Sequence, residues 1–136
     1  MNYKNQYQRK AHQEIDFIFL TLLPQTGLSV REEQVKLSHQ MLDTLLEGKI
    51  ALCDAGVGIG KTYAYLVACV LMRKYAAAMG NGWVCDKRPV VISTSSIAGG
   101  NHTGVYSFFI RYFSGNRVDR IPIKGYCAEG QGAFCL

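Results

Sequence analysis

A polar, aromatic stretch over residues 1–10 leads into a helical pattern that runs to about Leu23, where Pro24 and Gly27 break it. The next pattern sets Val35, Leu37, Met41, Leu42, Leu45 and Leu46 on one broad apolar face, the recurrence of a 3.6-residue helix. Ser29 and Glu32 precede it three residues apart. That spacing predicts a capping box, with the Glu32 carboxylate reaching back to the Ser29 amide. Gly48 marks the end of this helix. Residues 49–53 form a short apolar run, the pattern of a buried strand. From Thr62 to about Met79 the chain is apolar on nearly every side, as a helix enclosed against a sheet would be. Gly80, Asn81 and Gly82 predict a turn, and Pro89 precedes a second buried strand over 90–94. Strand, glycine loop, helix and strand together predict a βαβ unit. The expected fold class is therefore α/β, a parallel sheet with flanking helices and a right-handed crossover.

The pattern changes at Gly99. Seven of the 14 glycines fall between there and the last residue, Leu136, and helical periodicity is lost. The aromatic stretch 106–113 is strand-like, and nothing after it reads as a regular element. Three segments follow: a helical lead-in over 1–28, a coherent α/β segment over 29–98, and an atypical tail over 99–136.

Composition narrows the class. With 49% hydrophobic and 18% charged residues, the chain is expected to fold rather than remain disordered. No apolar run approaches the roughly 18 residues of a membrane helix. The apolar stretch 15–23 is short, carries Asp16 and lacks a small-residue cleavage pattern, so neither a signal peptide nor a membrane partner is expected. The net charge of +5 suits a polyanionic partner and equally a mildly basic soluble protein. Five cysteines, an odd number with no Cys-x-x-Cys pair and no zinc-like His spacing, point to a reducing, cytoplasmic setting. Cys53 and Cys69 stand in apolar stretches and read as small core residues.

Between the first predicted strand and the long helix lies Asp54-Ala55-Gly56-Val57-Gly58-Ile59-Gly60-Lys61-Thr62. From Ala55 this fits the loose phosphate-loop pattern of Ala or Gly, four residues, then Gly-Lys-Thr, in the strand–loop–helix setting it requires. The chemistry assigns each position a task. Gly56, Gly58 and Gly60 let the backbone of Ala55–Gly60, Val57 and Ile59 included, curl with its amides inward around a phosphate. The helix beginning at Lys61 adds its positive end. Lys61 brings a mobile cation to the β and γ phosphates, and the Thr62 hydroxyl is a ligand for Mg²⁺. The alternative is a glycine-rich turn with an incidental lysine. Asp54 suits capping of the loop better than a place in a metal's outer shell. Arg31 and Gln34, about 20 positions upstream, read from the residues alone as a solvated helix face.

Three stretches nevertheless resemble the start of the DinG/XPD-like DNA helicases of superfamily 2: Arg31-Glu32-Glu33-Gln34, the loop continued by Tyr63-Ala64-Tyr65-Leu66, and Val90-Val91-Ile92-Ser93-Thr94-Ser95-Ser96. The likeness covers Val30 to Ala98. It implies a partial RecA-like domain that binds ATP and Mg²⁺. It also implies an adenine-reading role for Gln34 with Arg31, a nucleotide loop over Gly56–Thr62, and contact of Thr94 and Ser95 with a DNA backbone. DNA is the implied partner; no feature points to a protein partner. The family unwinds DNA 5′ to 3′ at the expense of ATP, and many members hold a four-cysteine iron–sulfur cluster.

The departures from that pattern are specific. The stretch Ile97-Ala98 runs into Gly99-Gly100 instead of Leu-Gln, and no Asp-Glu-x-His box occurs. A second lobe with its arginine is not recognisable. Cys127 and Cys135 lack the cluster's spacing, so no iron–sulfur cluster is expected in this chain. Reverse translation of 99–111 and 124–136, read one base out of register, permits helicase-like text at both places, as a frameshift near Ala98 would produce. The leading expectation is the ATP-binding N-terminal portion of such a helicase, inactive by itself. The alternatives are a small self-contained phosphate-loop ATPase or kinase, for which Asp119 is a poorly placed acid, and a non-catalytic product that at most binds nucleotide or DNA.

Overall fold

A computed structural model describes the backbone of residues 3–79, 90–93, 124–128 and 131–135. The chain divides into two compact units, Met1–Asp86 and Lys87–Leu136.

The first unit is helical. Helix α1 (Tyr3–Phe17) passes into a π-helical segment (Ile18–Leu22) and then a short α2 (Leu23–Gln25). Pro24 stands in the first turn of α2. A proline has no amide to offer the carbonyl four residues back, and its ring crowds that carbonyl. Just upstream the chain runs in π register, with the Leu23 amide bonding to the Ile18 carbonyl.

Helix α3 spans Glu32–Leu46. The expected capping box is not formed. Arg31 is the N-cap, in extended conformation at φ −128° and ψ 110°, with no side-chain cap bond. Ser29 therefore lies outside the helix, beyond reach of the amides it would have capped, and Glu32 and Glu33 instead place negative charge in the first turn. The C-terminus closes as the glycine predicts. Gly48 takes the left-handed φ of 68°. Its amide bonds to Leu45 O at 3.2 Å and the Lys49 amide to Thr44 O at 3.0 Å, the paired bonds of a Schellman turn.

Helix α4 (Lys61–Met79) packs against α1 and α3. Every residue from Leu66 to Met72 is buried. Helix α1 and its continuation add Ala11, Ile15, Ile18, Phe19 and Leu23 to the core, and α3 adds Leu37, Leu42 and Leu46. Ser38, fully buried, donates its hydroxyl to the Ala64 carbonyl at 3.0 Å, so the α3–α4 contact leaves this polar group satisfied. Between α1 and α4 the Glu14 carboxylate accepts Lys74 Nζ at 2.8 Å on each oxygen and Tyr75 OH at 2.7 Å.

The expected parallel α/β sheet, and with it the RecA-like architecture, is overturned. Residues 49–53 are neither strand nor helix, and Ile50 and Leu52 are 99% and 102% exposed. Cys53, read as a core residue, is exposed; Cys69 is buried as expected. Among the described residues the strands are β1 (Val91–Ser93), β2 (Lys124–Ala128) and β3 (Gln131–Cys135), all in the second unit. They form an antiparallel sheet in the order β1-β3-β2. Val91 lies opposite Cys135 and Ser93 opposite Ala133, while Lys124 lies opposite Cys135 and Ala128 opposite Gln131. The physical reason is pairing: a strand exists only where its amides and carbonyls find a ladder. The second expected strand is recovered as β1, but its partner is β3, and the 49–53 backbone is left without one. The tail, expected to hold no regular element after 113, thus contains two strands. The predicted turn at 80–82 and the aromatic stretch 106–113 lie outside the described residues.

Candidate functional site

The loop between residue 55 and the start of α4 is shaped by two glycines. Gly58 and Gly60 hold φ of 84° and 81°, left-handed values that suit glycine and strain other residues. Gly56 carries no such φ, and a Cβ there would meet nothing within 4 Å, so its expected conformational role is not seen. Val57, at the tip, is 102% exposed; Ala55 and Ile59 are half-buried. Gly60 leads directly into α4, and its carbonyl receives the Ala64 amide at 3.4 Å. The first amides of α4 have no carbonyl of their own helix to bond, and they sum with the helix dipole to a local positive potential.

Lys61 is exposed and folds back over the loop. Its Nζ donates to Ala55 O at 2.7 Å and Gly56 O at 2.9 Å. The exposed ammonium is thus tied to the loop backbone. Thr62, half-buried in the first turn of α4, is the loop's hydroxyl. Asp54 is exposed. Next to Thr62 on α4, the Tyr63 phenol is pushed above its ordinary range by burial.

Arg31 and Gln34, which the residues alone would leave on a solvated face, are brought to this loop. Arg31 Nη1 donates to the Gly58 carbonyl, and Gln34 Nε2 donates to the Gly60 carbonyl at 2.7 Å. Arg31 remains exposed, but Gln34 is buried at 7% exposure. A Cβ on Gly60 would overlap the Gln34 amide nitrogen, so this approach requires glycine at 60. Thr94 and Ser95 lie outside the described residues.

A cluster that the sequence reading missed ties α1 to α3. His12 and His39 meet at Nδ1 with 2.6 Å between them, so one ring donates and the other accepts. His12 Nε2 lies 2.7 Å from Asp43 Oδ1, His39 Nε2 lies 2.8 Å from Asp16 Oδ1, and Gln8 also donates to Asp43. The signal was present as a His and an Asp four apart on each helix, yet only the antiparallel pairing of the helices joins them. Beside it a groove is lined by Leu20, Val35, Gln40 and His39, and it includes no loop residue. No group of three or more His, Cys, Asp or Glu that could hold a metal occurs among the described residues. Nor, among the described residues, is any helix long and apolar enough to cross a membrane.

The chain is similar to the probable ATP-dependent helicase YpvA of Bacillus subtilis, at 35% identity over 72 residues. That stretch is 53% of this chain and 11% of the helicase, so the chain spans a small part of the relative's length. No family model matches the chain, and no solved structure matches it.

Proposed function

We propose that residues 55–62 bind the phosphates of a nucleotide and that the chain is the ATP-binding portion of a helicase of the DinG/XPD-like kind. Support comes from Lys61, whose ammonium is held across the Ala55 and Gly56 carbonyls in a loop that carries two left-handed glycines and opens α4. Such a loop can offer the N–H dipoles of the helix start and one lysine cation, the two things a polyphosphate needs. The similarity to a protein described as a probable ATP-dependent helicase favours ATP among the nucleotides, and the resemblance to the DinG/XPD-like family suggests DNA as the polymer partner.

The residues fit the phosphates better than they fit a metal. Thr62 gives a single hydroxyl in the first turn of α4, so Mg²⁺ would arrive carried on the phosphates. The chemistry it supplies when bound is neutralisation of their charge. Among the described residues the acidic side chain next to the loop in sequence, Asp54, is exposed, and an Asp-Glu-x-His box is missing from the sequence. The chain's own residues bind and orient; they do not complete a hydrolytic site.

Titration of the full chain with Mg-ATP should show weak, saturable binding that is lost in Lys61→Ala, with no DNA-stimulated hydrolysis. Robust turnover abolished by Lys61→Ala would overturn the inactive-by-itself reading, and binding indifferent to Lys61→Ala would overturn the loop's role.

A further inference from the structure

We infer that Arg31 and Gln34 are positioning residues for the phosphate loop: they clamp the carbonyls of its two left-handed glycines and thereby aim the adjoining amides at the phosphate side. The inference rests on the phosphate-binding reading above and extends it to two residues that contact the loop from another helix.

The geometry is regular. Arg31 is the N-cap of α3 and Gln34 stands three residues on, so the two side chains leave the same end of one helix. They donate to alternate carbonyls, Gly58 and Gly60, and these are the two residues of the loop with left-handed φ. No peptide bond among the described residues is cis. In a trans peptide the carbonyl and the following N–H point in opposite directions. Holding Gly58 O toward Arg31 therefore turns the Ile59 amide away from α3. Holding Gly60 O toward Gln34 does the same for the Lys61 amide. The left-handed glycines are the places where a peptide plane would otherwise flip at low cost. Each clamp is thus set where the backbone is least self-determined.

Gln34 is equipped for this task. It is buried, its donor is committed to a backbone carbonyl at 2.7 Å, and the glycine it touches has no room for a Cβ. A side chain engaged in this way acts on every phosphate ligand alike, whatever base it carries. A side chain reading the base acts on one nucleotide and leaves inorganic polyphosphate untouched.

The test uses the full chain and three ligands: ATP, GTP and inorganic tripolyphosphate. Gln34→Met keeps the buried volume and removes the donor; Arg31→Met alters an exposed residue and keeps the experiment open should the first variant fail to fold. Each is expected to weaken all three ligands by the same factor, about tenfold, the equivalent of one hydrogen bond. The Arg31→Met loss should persist at high salt, where a charge acting at a distance is screened, and Arg31→Lys should restore most of the affinity. In the ligand-free variants the amide nitrogen resonances of Ile59 and Lys61 should shift while those of buried α4 residues stay in place, which mere loss of stability would not produce. A loss confined to ATP, or unchanged affinity for all three ligands, overturns the inference. If binding is lost in Lys61→Ala but untouched in both clamp variants, the loop keeps its role and the clamp does not. If the unaltered chain fails to bind tripolyphosphate, the phosphate-binding reading falls and takes this inference with it.

Discussion

Individual side chains show how far residue type alone carries. Cys53 and Cys69 stand in similar apolar text, yet one is exposed and the other buried. Burial pushes the Cys69 thiol from 9.0 up to about 11, because an apolar surround disfavours the thiolate. Alkylation of the folded chain at pH 8 followed by peptide mapping should therefore modify Cys53 quickly and leave Cys69 intact, with Cys69 reacting only as the pH approaches 11 or the protein unfolds. Equal rates at the two sites would contradict the packing described. Lys61 and Thr62 were legible as candidates because their chemistry depends on neighbours in sequence. The contacts of Arg31 and Gln34 were not, because nothing local brings α3 to the loop.

The helices follow the chain closely where their determinants lie within a few residues. Leu37, Leu42 and Leu46 of the apolar face of α3 and residues 66–72 of α4 became core, while Val35, Met41 and Leu45 are half-buried, and Gly48 ended α3 through two backbone bonds that only a left-handed residue permits. Gly48→Ala should lower the unfolding free energy by about 1 kcal/mol, the cost of a Cβ in that conformation, as read by urea denaturation. An unchanged midpoint would mean the Schellman turn does not form. The capping box failed for a reason of the same kind. Ser29 and Glu32 have the right spacing, but Arg31 stays extended, so the helix begins two residues late and the box has no first turn to cap. The π-helical segment was not anticipated either. Pro24 announces a disturbance, while the register that absorbs it depends on how α1 is seated in the core.

The largest correction concerns the whole molecule. The apolar run 49–53 has the pattern of a buried strand in a parallel sheet, which would bury Ile50 and Leu52; both are instead fully exposed, and the described strands pair antiparallel. Ile50→Lys is accordingly expected to change the unfolding free energy by less than about 0.5 kcal/mol, the range of surface substitutions. A loss of several kcal/mol would show Ile50 buried in solution and restore the sheet. Helical periodicity, the glycine stop at 48 and the phosphate-loop spacing are short-range properties, readable because each depends on residues a turn or two apart. Which strand pairs with which, whether Cys53 meets solvent, how His12 finds His39 and why Gln34 reaches Gly60 all depend on residues distant in the chain. Those contacts exist only once helices and strands have packed, and so the tertiary structure alone decided them.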